Sequence, residues 1–387
     1  MRVIQSTVDI GLEASGPSYS VPGLCRGLNA VGVDVSLHTL MCPSISKFHF
    51  PFPLVTYPRK SSCILPGNAP AMEHGLERAC REIQILQTNG LWMMPMVYPG
   101  RVVKRLRRQG RAPKLVVAPR GCLASWALKR GWLKKKVFGW LFQNQVLSQA
   151  DMFHATSEKE YDEIRAQGYR QPVAIVPIGM DLPEVDINAE TQMRKDAERL
   201  RKILFFGRLH KVKGVDRLLL AWEKVVKDGW ELVIAGPDCG MLEKLKGIVA
   251  ERRISRVSFV GEINGPAKYE FLAGGDIYVL PSDTENFGVT VAEALASGTP
   301  VIASQGTPWQ GLEREKCGYW VPIGVEPLAA SLKELMDMSD EARAAMGARG
   351  REWIRRDFSW KGIGAQMKAA YEWLLDLAKC PPCVHVE

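Results

Sequence analysis

The stretch that decides the fold is Asp283–Val301, which reads DTENFGVTVAEALASGTPV. The apolar run Ile277–Leu280 before it predicts a strand, and residues 289–297 predict a helix that Gly298 ends. Gly288 marks the turn between the strand and the helix. A strand, a glycine-containing loop and a helix N-terminus in this order predict an anion-binding cradle, because free N–H groups and the helix dipole favour negative charge.

Short apolar runs alternate with longer helix-period stretches along the chain, a pattern typical of parallel sheets with crossover helices. The runs cover residues 2–5, 33–39, 83–87, 115–118, 152–155 and 173–176 in the first half, and 203–206, 232–235, 257–260, 277–280 and 301–303 in the second. Most of the second-half runs do not alternate with polar residues, as expected for strands buried on both faces. The sequence therefore predicts two Rossmann-like units in series. It also predicts a junction in residues 177–201, a long loop insertion over residues 41–70 and helices from Glu326 onward.

Length, charge and composition limit the class of protein and the kind of partner that the chain can have. A chain of 387 residues makes about two or three domains. Its 51 Lys and Arg against 42 Asp and Glu give a net charge of +9, which favours an anionic partner: a nucleic acid, a phosphorylated metabolite or an acidic membrane surface. A hydrophobic content of 46% with 24% charged residues excludes disorder and fibrous rods.

Cysteine usage and the N-terminus indicate a reducing cytosol. Nine cysteines at irregular spacing argue against a secreted disulfide framework. Asp9 and Glu13 follow closely on the first strand and leave no apolar core for a signal peptide. No run approaches the roughly 20 apolar residues that a membrane helix needs. We therefore expect a cytoplasmic protein.

Two carboxylates flank the glycine of the decisive stretch. Glu285 lies on the loop, and Glu293 lies about one turn into the helix. A carboxylate repels phosphate but accepts hydrogen bonds from two vicinal hydroxyls, as on a ribose, so Glu293 is a candidate for ribose and Glu285 for a second polyol. Glutamates at this spacing are usually solvated side chains, but their position after a buried strand favours a ligand role here.

A second segment, Phe205–Gly214, reads FFGRLHKVKG and also follows a predicted strand. Arg208 and Lys213 can converge on an anion at the carboxyl end of this strand, where open α/β sheets bind ligands. A charge at about 4 Å in partly screened surroundings contributes about 4 kcal/mol. A helix terminus contributes only about 0.3–1 kcal/mol. The two cations would therefore dominate the stabilisation of a diphosphate and could replace a divalent metal, so we expect no metal.

Taken together, these motifs resemble those of the retaining family-four glycosyltransferases with the GT-B fold. Glu285 and Glu293 are separated by seven residues within ENFGVTVAEALASGTPVIA, and GRLHKVKG matches the Gly-Arg…Lys-Gly loop of the family. FHATS at residues 153–157 and VPIGMD at residues 176–181 match the end of the family's acceptor domain.

The resemblance implies an α/β chain with the GT-B architecture, in which two Rossmann-like domains face a cleft. Residues 1–180 would form the acceptor-binding domain and residues 181–360 the donor-binding domain. Residues 361–387 would form a C-terminal helix that returns to the first domain.

The resemblance also implies site residues for a nucleotide-diphosphate sugar. Arg208 and Lys213 would hold the diphosphate, Glu293 the ribose and Glu285 the donor sugar, which makes Glu285, Arg208 and Lys213 the catalytic set. Further donor contacts would come from Gly16, Gly207, Val260, Gly261, Asn286, Phe287, Gly288, Val289 and Thr290. The donor is a substrate, and no cofactor is implied.

Two positions depart from the family pattern. Asn89 stands where related sequences have the histidine of His-Gly-Leu-Trp, and Arg120 stands near the place of a histidine beside the donor sugar. An arginine cannot act as a base at neutral pH. His154 is the remaining histidine in a matched motif, and a ligand role and a hydrogen-bonded structural role are equally open for it. Retaining transfer in this family is thought to use the leaving diphosphate as proton acceptor, so stabilisation of the leaving group matters more than a base.

Basic residues form two groups beside aromatic residues. One group comprises Arg101, Lys104, Arg105, Arg107, Arg108, Arg111 and Lys114, and the other comprises Lys129, Arg130, Lys134, Lys135 and Lys136 among Trp126, Trp132, Phe138 and Trp140. Such a composition suits an anionic bilayer or a lipid-linked acceptor, although a solvated helix face explains it equally well. No nucleic-acid-binding motif accompanies the charge, so we expect no nucleic-acid partner. Cys380 and Cys383 form a lone C-x-x-C that lacks the ligands of a zinc site.

The motifs, with the resemblance that they carry, thus imply retaining transfer of a sugar from a nucleotide-diphosphate sugar to a glycan acceptor. The acceptor would be lipid-linked, in lipopolysaccharide or exopolysaccharide biosynthesis, with peripheral contact at the inner face of an anionic membrane. The alternative is a glycosyltransferase-like protein without catalysis that binds membrane or glycan, which the residues at positions 89 and 120 motivate. A hydrolytic or epimerising use of the same fold is a third possibility.

Overall fold

The chain folds into two compact units. The computed structural model describes residues 1–11, 16–42, 49–60, 65–183 and 200–386. One unit comprises Met1–Gly179 and Trp360–Glu387, and the other comprises Met180–Ser359. Each unit contains one mainly parallel sheet with its own helices, which confirms the α/β prediction of two Rossmann-like units. Residues 184–199 of the predicted junction lie outside the described residues.

Fourteen strands are described, and they fall into two sheets. In chain order they are β1 (Arg2–Ser6), β2 (Asp34–Leu40), β3 (Leu54–Tyr57), β4 (Ile85–Asn89), β5 (Lys114–Ala118), β6 (Met152–Ala155), β7 (Val173–Ile175), β8 (Arg201–Phe206), β9 (Trp230–Ala235), β10 (Val257–Gly261), β11 (Ile277–Leu280), β12 (Val301–Ser304), β13 (Gly318–Val321) and β14 (Val384–His385).

The helices connect the strands and continue to the C-terminal region. They are α1 (Gly16–Ala30), α2 (Pro70–Ala79), α3 (Met94–Arg107), α4 (Ser125–Lys129), α5 (Trp132–Phe138), α6 (Asn144–Ser148), α7 (Glu158–Ala166), α8 (Val215–Val225), α9 (Leu242–Arg252), α10 (Ala267–Ala273), α11 (Val289–Ala296), α12 (Gly311–Arg314), α13 (Val325–Asp337), α14 (Asp340–Asp357) and α15 (Trp360–Leu374). A π-helical turn (Gly139–Gln143) joins α5 to α6, and a 3₁₀ turn (Lys211–Lys213) precedes α8. Within the described ranges, no helix is both long and apolar enough to cross a bilayer.

The strand order places one switch point in each sheet. The first sheet has the order β14-β7-β6-β5-β4-β1-β2-β3, and the second has the order β10-β9-β8-β11-β12-β13. All neighbouring strands are parallel except β14 and β7, which are antiparallel. Strand order reverses between β1 and β4 in one sheet and between β8 and β11 in the other. Ligands of open α/β sheets bind outside the carboxyl ends of the strands at such a point.

Three strands were not predicted. β3 lies within residues 41–70, where we expected only a loop insertion, and it pairs in parallel with β2. It is a four-residue edge strand that is only partly buried, so its apolar signal is weak. β13 was also missed, and β14 interrupts a C-terminal region that the sequence predicted to be helical. Residues 43–48 and 61–64 of the expected insertion lie outside the described residues.

Close helix packing joins the C-terminal segment to the first unit. Helix α15 packs against α1, and glycines make the approach possible: a Cβ added at Gly27 would lie 2.2 Å from the Trp360 carbonyl oxygen. A Cβ at Gly364 would lie 2.2 Å from the carbonyl group of Gly27. Because β14 then pairs with β7, residues 360–386 belong to the same unit as β1 and β4.

Candidate functional site

In the second unit, the loops that follow β8 and β11 are held against each other. Gly214 ends the 3₁₀ turn with φ +65°, and a Cβ there would lie 2.3 Å from the Pro281 carbonyl oxygen. The Asp283 amide donates to the Val212 carbonyl at 2.8 Å, and Arg217 forms an ion pair with Asp283 at 2.7 Å. The glycine therefore permits a contact that brings the two predicted motifs together.

Lys213 and Glu285, which are 72 residues apart, form an ion pair at this switch point. Lys213 Nζ donates to Glu285 Oε1 at 2.6 Å, and Ser282 Oγ donates to the same oxygen at 2.6 Å. The side chains of Lys213 and Glu285 are only 11% and 14% exposed, so solvent screens the pair weakly. The sequence predicted both charged residues but missed Ser282, whose position two residues after the strand was the available signal.

Arg208 lies at the start of the same loop, directly after Gly207. Its side chain is exposed, and no carboxylate in the described part of the chain forms an ion pair with it. Gly207 lies against a neighbouring strand end, since a Cβ at Gly236 would lie 1.9 Å from the Gly207 carbonyl oxygen. The structure thus leaves Arg208 available to an anion from solvent, whereas Lys213 is already held by Glu285.

The N-terminus of α11 is fixed by aromatic packing. Gly288 has φ +78° at the N-cap, and the Phe287 carbonyl before it accepts a hydrogen bond from Trp309 Nε1 at 2.5 Å. The Phe287 ring is buried edge-on against Trp309, with ring centroids 5.2 Å apart. The side chain of Phe287 therefore packs in the core, and only its backbone is left to contact a nucleotide-sugar donor. Asn286 and Val289 beside it are half-buried.

The hydroxyl of Thr290 is part of the strand framework. Thr290 Oγ1 lies 2.7 Å from Tyr278 Oη, which in turn lies 3.1 Å from the Phe206 carbonyl oxygen. Because Tyr278 has one hydroxyl hydrogen, it donates to Phe206 and accepts from Thr290. Burial raises the pKa of Tyr278, so this phenol stays protonated. The bonds link the end of β8 to β11 and α11.

Glu293 is buried in α11 and is paired with a lysine that the sequence analysis missed. Lys268 Nζ of α10 donates to Glu293 Oε1, and the side chains are 22% and 6% exposed. Burial raises the pKa of Glu293, and the positive charge of Lys268 acts in the opposite direction. Lys268 Nζ also lies 4.7 Å from the centroid of the Tyr269 ring. A diol that binds Glu293 must share its carboxylate with Lys268.

The remaining predicted donor contacts lie apart from this cluster. Val260 and Gly261 are exposed at the end of the edge strand β10, where the register with β9 shifts. Gly16 begins α1 in the first unit, and residues 12–15 before it lie outside the described residues. Among the described residues, nothing lies within 4 Å of a Cβ added at Gly16, so packing against these residues does not require glycine there.

In the first unit, the three acceptor-side residues meet in a buried polar network at the ends of β1 and β4. Asn89 Oδ1 accepts from Arg120 Nη2 at 2.9 Å, from Arg120 Nε at 3.3 Å and from Gln87 Nε2 at 3.1 Å. Asn89 Nδ2 donates to Gln5 Oε1 at 2.9 Å. Arg120 has φ +56°, a conformation that non-glycine residues rarely adopt. Asn89 therefore fixes the guanidinium group rather than supplying a base.

His154 belongs to the same network as a neutral ring. Its Nε2 lies 2.9 Å from the Val176 carbonyl oxygen and donates to it, while Nδ1 accepts from Gln87 Nε2 at 3.1 Å. Burial and the positive charge of Arg120 lower the pKa of His154 to about 3. Both ring nitrogens are occupied, so the geometry favours the hydrogen-bonded structural role over a ligand role.

Tyr371 of α15 completes the network. Its hydroxyl donates to Gln87 Oε1 at 2.7 Å and accepts from Gln5 Nε2 at 2.8 Å. The sequence analysis missed Gln5, Gln87 and Tyr371. The signal for the two glutamines was an amide within an otherwise apolar strand, since both are fully buried in the centre of the sheet. Across the described ranges, no three His, Cys, Asp or Glu residues gather in a way that could hold a metal ion.

Two family models match the chain, one in each half. Residues 15–179 match the glycosyl transferase 4-like domain, and residues 187–353 match the glycosyl transferases group 1. D-inositol 3-phosphate glycosyltransferase of Xylanimonas cellulosilytica is 28% identical over 298 residues, which cover 72% of this chain and 66% of that protein. Phosphatidyl-myo-inositol mannosyltransferase of Mycobacterium leprae is 28% identical over 207 residues, which cover 50% and 54%. The chain thus spans two thirds or less of the length of these curated relatives.

Solved structures share the fold over nearly the whole chain. Sucrose-phosphate synthase of Thermosynechococcus elongatus has a TM-score of 0.76 at 23% identity and covers 97% of this chain and 100% of its own. HepE of Anabaena, solved with UDP and glucose, has a TM-score of 0.74 at 16% identity and covers 96% and 100%. The two family matches and this common architecture agree, and the chain belongs to the group 1 glycosyltransferases with the GT-B fold.

Proposed function

We propose that the protein transfers a sugar, with retention of anomeric configuration, from a nucleotide-diphosphate sugar to a glycan acceptor. The observation that carries the proposal is the Lys213–Glu285 pair at the switch point between β8 and β11. A weakly screened ammonium group at the carboxyl ends of parallel strands suits a diphosphate. The carboxylate beside it suits the hydroxyl groups of a sugar.

The donor would span the second unit. Lys213 and the exposed Arg208 hold the diphosphate, and the backbone amides of Gly288, Val289 and Thr290 add N–H donors at the start of α11. Glu293, with Lys268, binds the ribose hydroxyls, and Glu285 binds the donor sugar. Asn286 and the Phe287 backbone line the sugar, and Val260 and Gly261 lie along the base.

Catalysis would rest on the leaving group. As the bond from the sugar to the diphosphate breaks, negative charge grows on the diphosphate, and Lys213 and Arg208 stabilise it. The acceptor oxygen bonds to the anomeric carbon on the face that the diphosphate leaves, and the leaving phosphate oxygen takes the proton of the acceptor hydroxyl, so no protein base is required. This mechanism accords with Asn89, Arg120 and His154, none of which is a free base at neutral pH. No metal ion enters the mechanism.

The acceptor that we propose is a lipid-linked glycan, in lipopolysaccharide or exopolysaccharide biosynthesis. The Mycobacterium leprae relative is named for phosphatidyl-myo-inositol, which is a lipid. The basic and aromatic composition of residues 101–140 supports peripheral contact with an anionic membrane at its cytoplasmic face. Nucleic acid is not part of the proposal, because no nucleic-acid-binding motif accompanies the charge.

Nucleotide release tests the proposal directly. The protein is incubated with UDP-, GDP- and dTDP-sugars, with and without a lipid-linked glycan extract, and free nucleoside diphosphate is measured. We expect release from at least one donor that depends on the acceptor, and loss of release in Lys213→Ala. Lys211→Ala is the matched control, because Lys211 is exposed in the same turn.

The other functions give different results in the same assay. Donor binding without release under any acceptor condition would favour the non-catalytic alternative. Release that is equal without acceptor would indicate hydrolysis of the donor. No binding of any donor by protein with an intact fold would contradict the proposal.

A further inference from the structure

Residues 126–141 of the first unit carry an unusual concentration of exposed apolar side chains. Six of the thirteen large hydrophobic residues that are exposed among the described residues lie in this stretch: Trp126, Trp132, Leu133, Val137, Trp140 and Leu141. Trp140 is 80% exposed, the highest value among them. We call these residues and the cations between them the 126–141 surface. Exposed apolar patches of this kind mark sites of interaction.

The apolar face of the helix that carries this surface is exposed to solvent instead of packing against the core. None of the residues of α5 is buried. Leu133, Val137, Trp140 and Leu141 follow the i, i+4, i+7, i+8 spacing of one helix face, and all are exposed. Phe138 and Gly139 lie on the opposite face and are partly or fully buried. The apolar stripe therefore points to solvent, whereas the stripe of an ordinary surface helix points to the core.

Positive charge surrounds this stripe without compensation. Residues 83–150 contain thirteen Lys and Arg and no Asp or Glu. Within the 126–141 surface, Lys129, Arg130, Lys134 and Lys136 form no ion pair with any described carboxylate. Lys135 differs from these four residues because it has partners within the protein. Its ammonium group donates a hydrogen bond to the Ala127 carbonyl and lies 5.8 Å from the centroid of a Trp92 ring.

The other basic group of the sequence, residues 101–114, differs because some of its cations are paired. On α3, Arg105 forms ion pairs with Glu73 and Glu77 of α2. Arg101 lies 3.9 Å from Glu73, and Arg107 pairs with Asp151. The structure therefore separates two groups that look alike in the sequence. Three of the seven cations of residues 101–114 pair with carboxylates, and the apolar face of α3 is buried. The 126–141 surface keeps its charge and exposes its apolar face.

We propose that the 126–141 surface is the segment by which this protein inserts into an anionic lipid bilayer. The outward Trp, Leu and Val side chains enter the boundary between headgroups and acyl chains, and Lys129, Arg130, Lys134 and Lys136 contact the lipid phosphates. A second copy of the chain fits less well, because it would bring two uncompensated positive surfaces together. A glycan would stack on the tryptophans but would not use Leu133, Val137 or Leu141. The proposal rests on the membrane contact put forward under the proposed function, and it is independent of the sugar chemistry in the second unit.

Cosedimentation with vesicles tests the proposal. We expect the protein to bind vesicles of equal parts phosphatidylcholine and phosphatidylglycerol, and to bind pure phosphatidylcholine far more weakly. Each cation near such a surface contributes about fivefold in affinity, so Lys134→Ser/Lys136→Ser should weaken binding about twenty-five-fold at low salt. Trp132→Ser/Trp140→Ser should weaken it at least about tenfold, and this loss should persist at high salt because apolar insertion is not screened.

Two matched control variants distinguish binding through the 126–141 surface from nonspecific effects of charge and of exposed apolar side chains elsewhere. Arg108→Ser/Arg111→Ser removes two exposed cations of the other group, and Leu377→Ser removes an apolar residue that is 70% exposed elsewhere. Both variants should bind vesicles with an affinity within about twofold of the wild-type value, because surface substitutions of this kind change stability little. The proposal is overturned by equal binding of wild type and Trp132→Ser/Trp140→Ser. It is also overturned by an equal loss in the controls, or by a dimer that forms through this surface with no vesicle binding.

Discussion

The switch points of the two units share a topology and differ in chemistry. Between β8 and β11, the side chains are charged and paired across two loops, as Lys213 and Glu285 are. Between β1 and β4, they are neutral amides, an imidazole and a phenol around one guanidinium group, that of Arg120. The topology thus fixes where a site can form, and the side chains at the strand ends decide what it can bind.

The difference lies in how much hydrogen-bonding capacity is left. In the first unit, Asn89 and His154 are buried and use their polar atoms within the network. A ligand would gain a bond to either of these two side chains only by breaking another. In the second unit, Arg208 is exposed, and the Lys213 ammonium group has three hydrogens for one partner carboxylate oxygen. We infer that the switch point between β8 and β11 binds the donor. The side chains at the switch point between β1 and β4 mainly hold one another in place.

Removal of the paired cation should have the largest effect on the second site. Lys213→Ala should lower kcat/KM for the donor by about 10²–10³, the usual loss when one preorganised donor to developing charge is removed. Steady-state kinetics with the best donor measure it. Lys211→Ala should stay near the wild-type value, and a Lys213→Ala enzyme with nearly normal kcat/KM would contradict the assigned role.

A break in the first network should cost stability. Asn89→Leu leaves the Arg120 guanidinium group and the amide oxygen of Gln5 without the partner that Asn89 supplies, which should lower the free energy of unfolding by about 1–3 kcal/mol. Urea unfolding measures the change. The exposed Asn29→Leu, in the same unit, should change it by less than about 0.5 kcal/mol. Equal effects of the two variants would show that the network is not a stabilising unit.

Acid should weaken the first unit through its buried histidines. Burial lowers the pKa of His154 to about 3, with Arg120 adding to the effect, and burial lowers the pKa of His38 to about 4. Unfolded histidine takes up its proton near pH 6.5, so this stability is fully present above pH 6.5 and is lost as the pH falls toward 3. Each histidine adds a slope of up to about 1.4 kcal/mol per pH unit.

Urea midpoints between pH 7 and pH 4 measure this slope. His154→Gln should flatten it, because glutamine can keep a donor and an acceptor but does not titrate. The matched control is His74→Gln, which replaces an exposed histidine of the same unit. A His154→Gln protein with the full wild-type slope would mean that His154 is not held neutral by the fold.

The exposed cation of the second site should have the smallest effect. Arg208→Gln should weaken donor affinity by about fivefold at low salt, since an exposed charge pair contributes up to about 1 kcal/mol. The loss should shrink at high salt because the charge is screened. Titration calorimetry at two salt concentrations measures both effects. Lys244→Gln on α9 is the control. An equal loss of donor affinity in this variant would mean that Arg208 acts only through the general charge of the protein.

Much of the second site could be predicted from the sequence because its residues follow strands. Lys213 and Glu285 lie on the loops that follow two strands whose ends Gly and Pro mark, and Glu293 lies about one turn into the helix after the second loop. The parallel topology brings such strand ends to one edge of the sheet. Lys268 could not be predicted in this way, because its bond to Glu293 depends on how α10 packs beside α11. The predicted positions of Val260 and Gly261 remain predictions for a bound donor.

The first site was harder to predict because its contacts span the chain. Tyr371 lies 366 residues from Gln5, and only the packing of α15 on α1 brings the two together. Gln87 lies within an apolar strand, where a buried amide looks like an interruption rather than a network member. β3 was missed for a related reason, since a short edge strand depends on its partner β2 more than on its own apolar signal.

Titration calorimetry with UDP-, GDP- and dTDP-sugars, on wild type and Lys213→Ala, tests the central claim most directly. The claim is that the switch point between β8 and β11 binds the donor through the Lys213–Glu285 pair. We expect at least one donor to bind wild type and to bind Lys213→Ala at least about tenfold more weakly, as the loss of a charged hydrogen-bond donor requires. Equal affinity for the two proteins, or no binding of any donor to folded wild type, would contradict it.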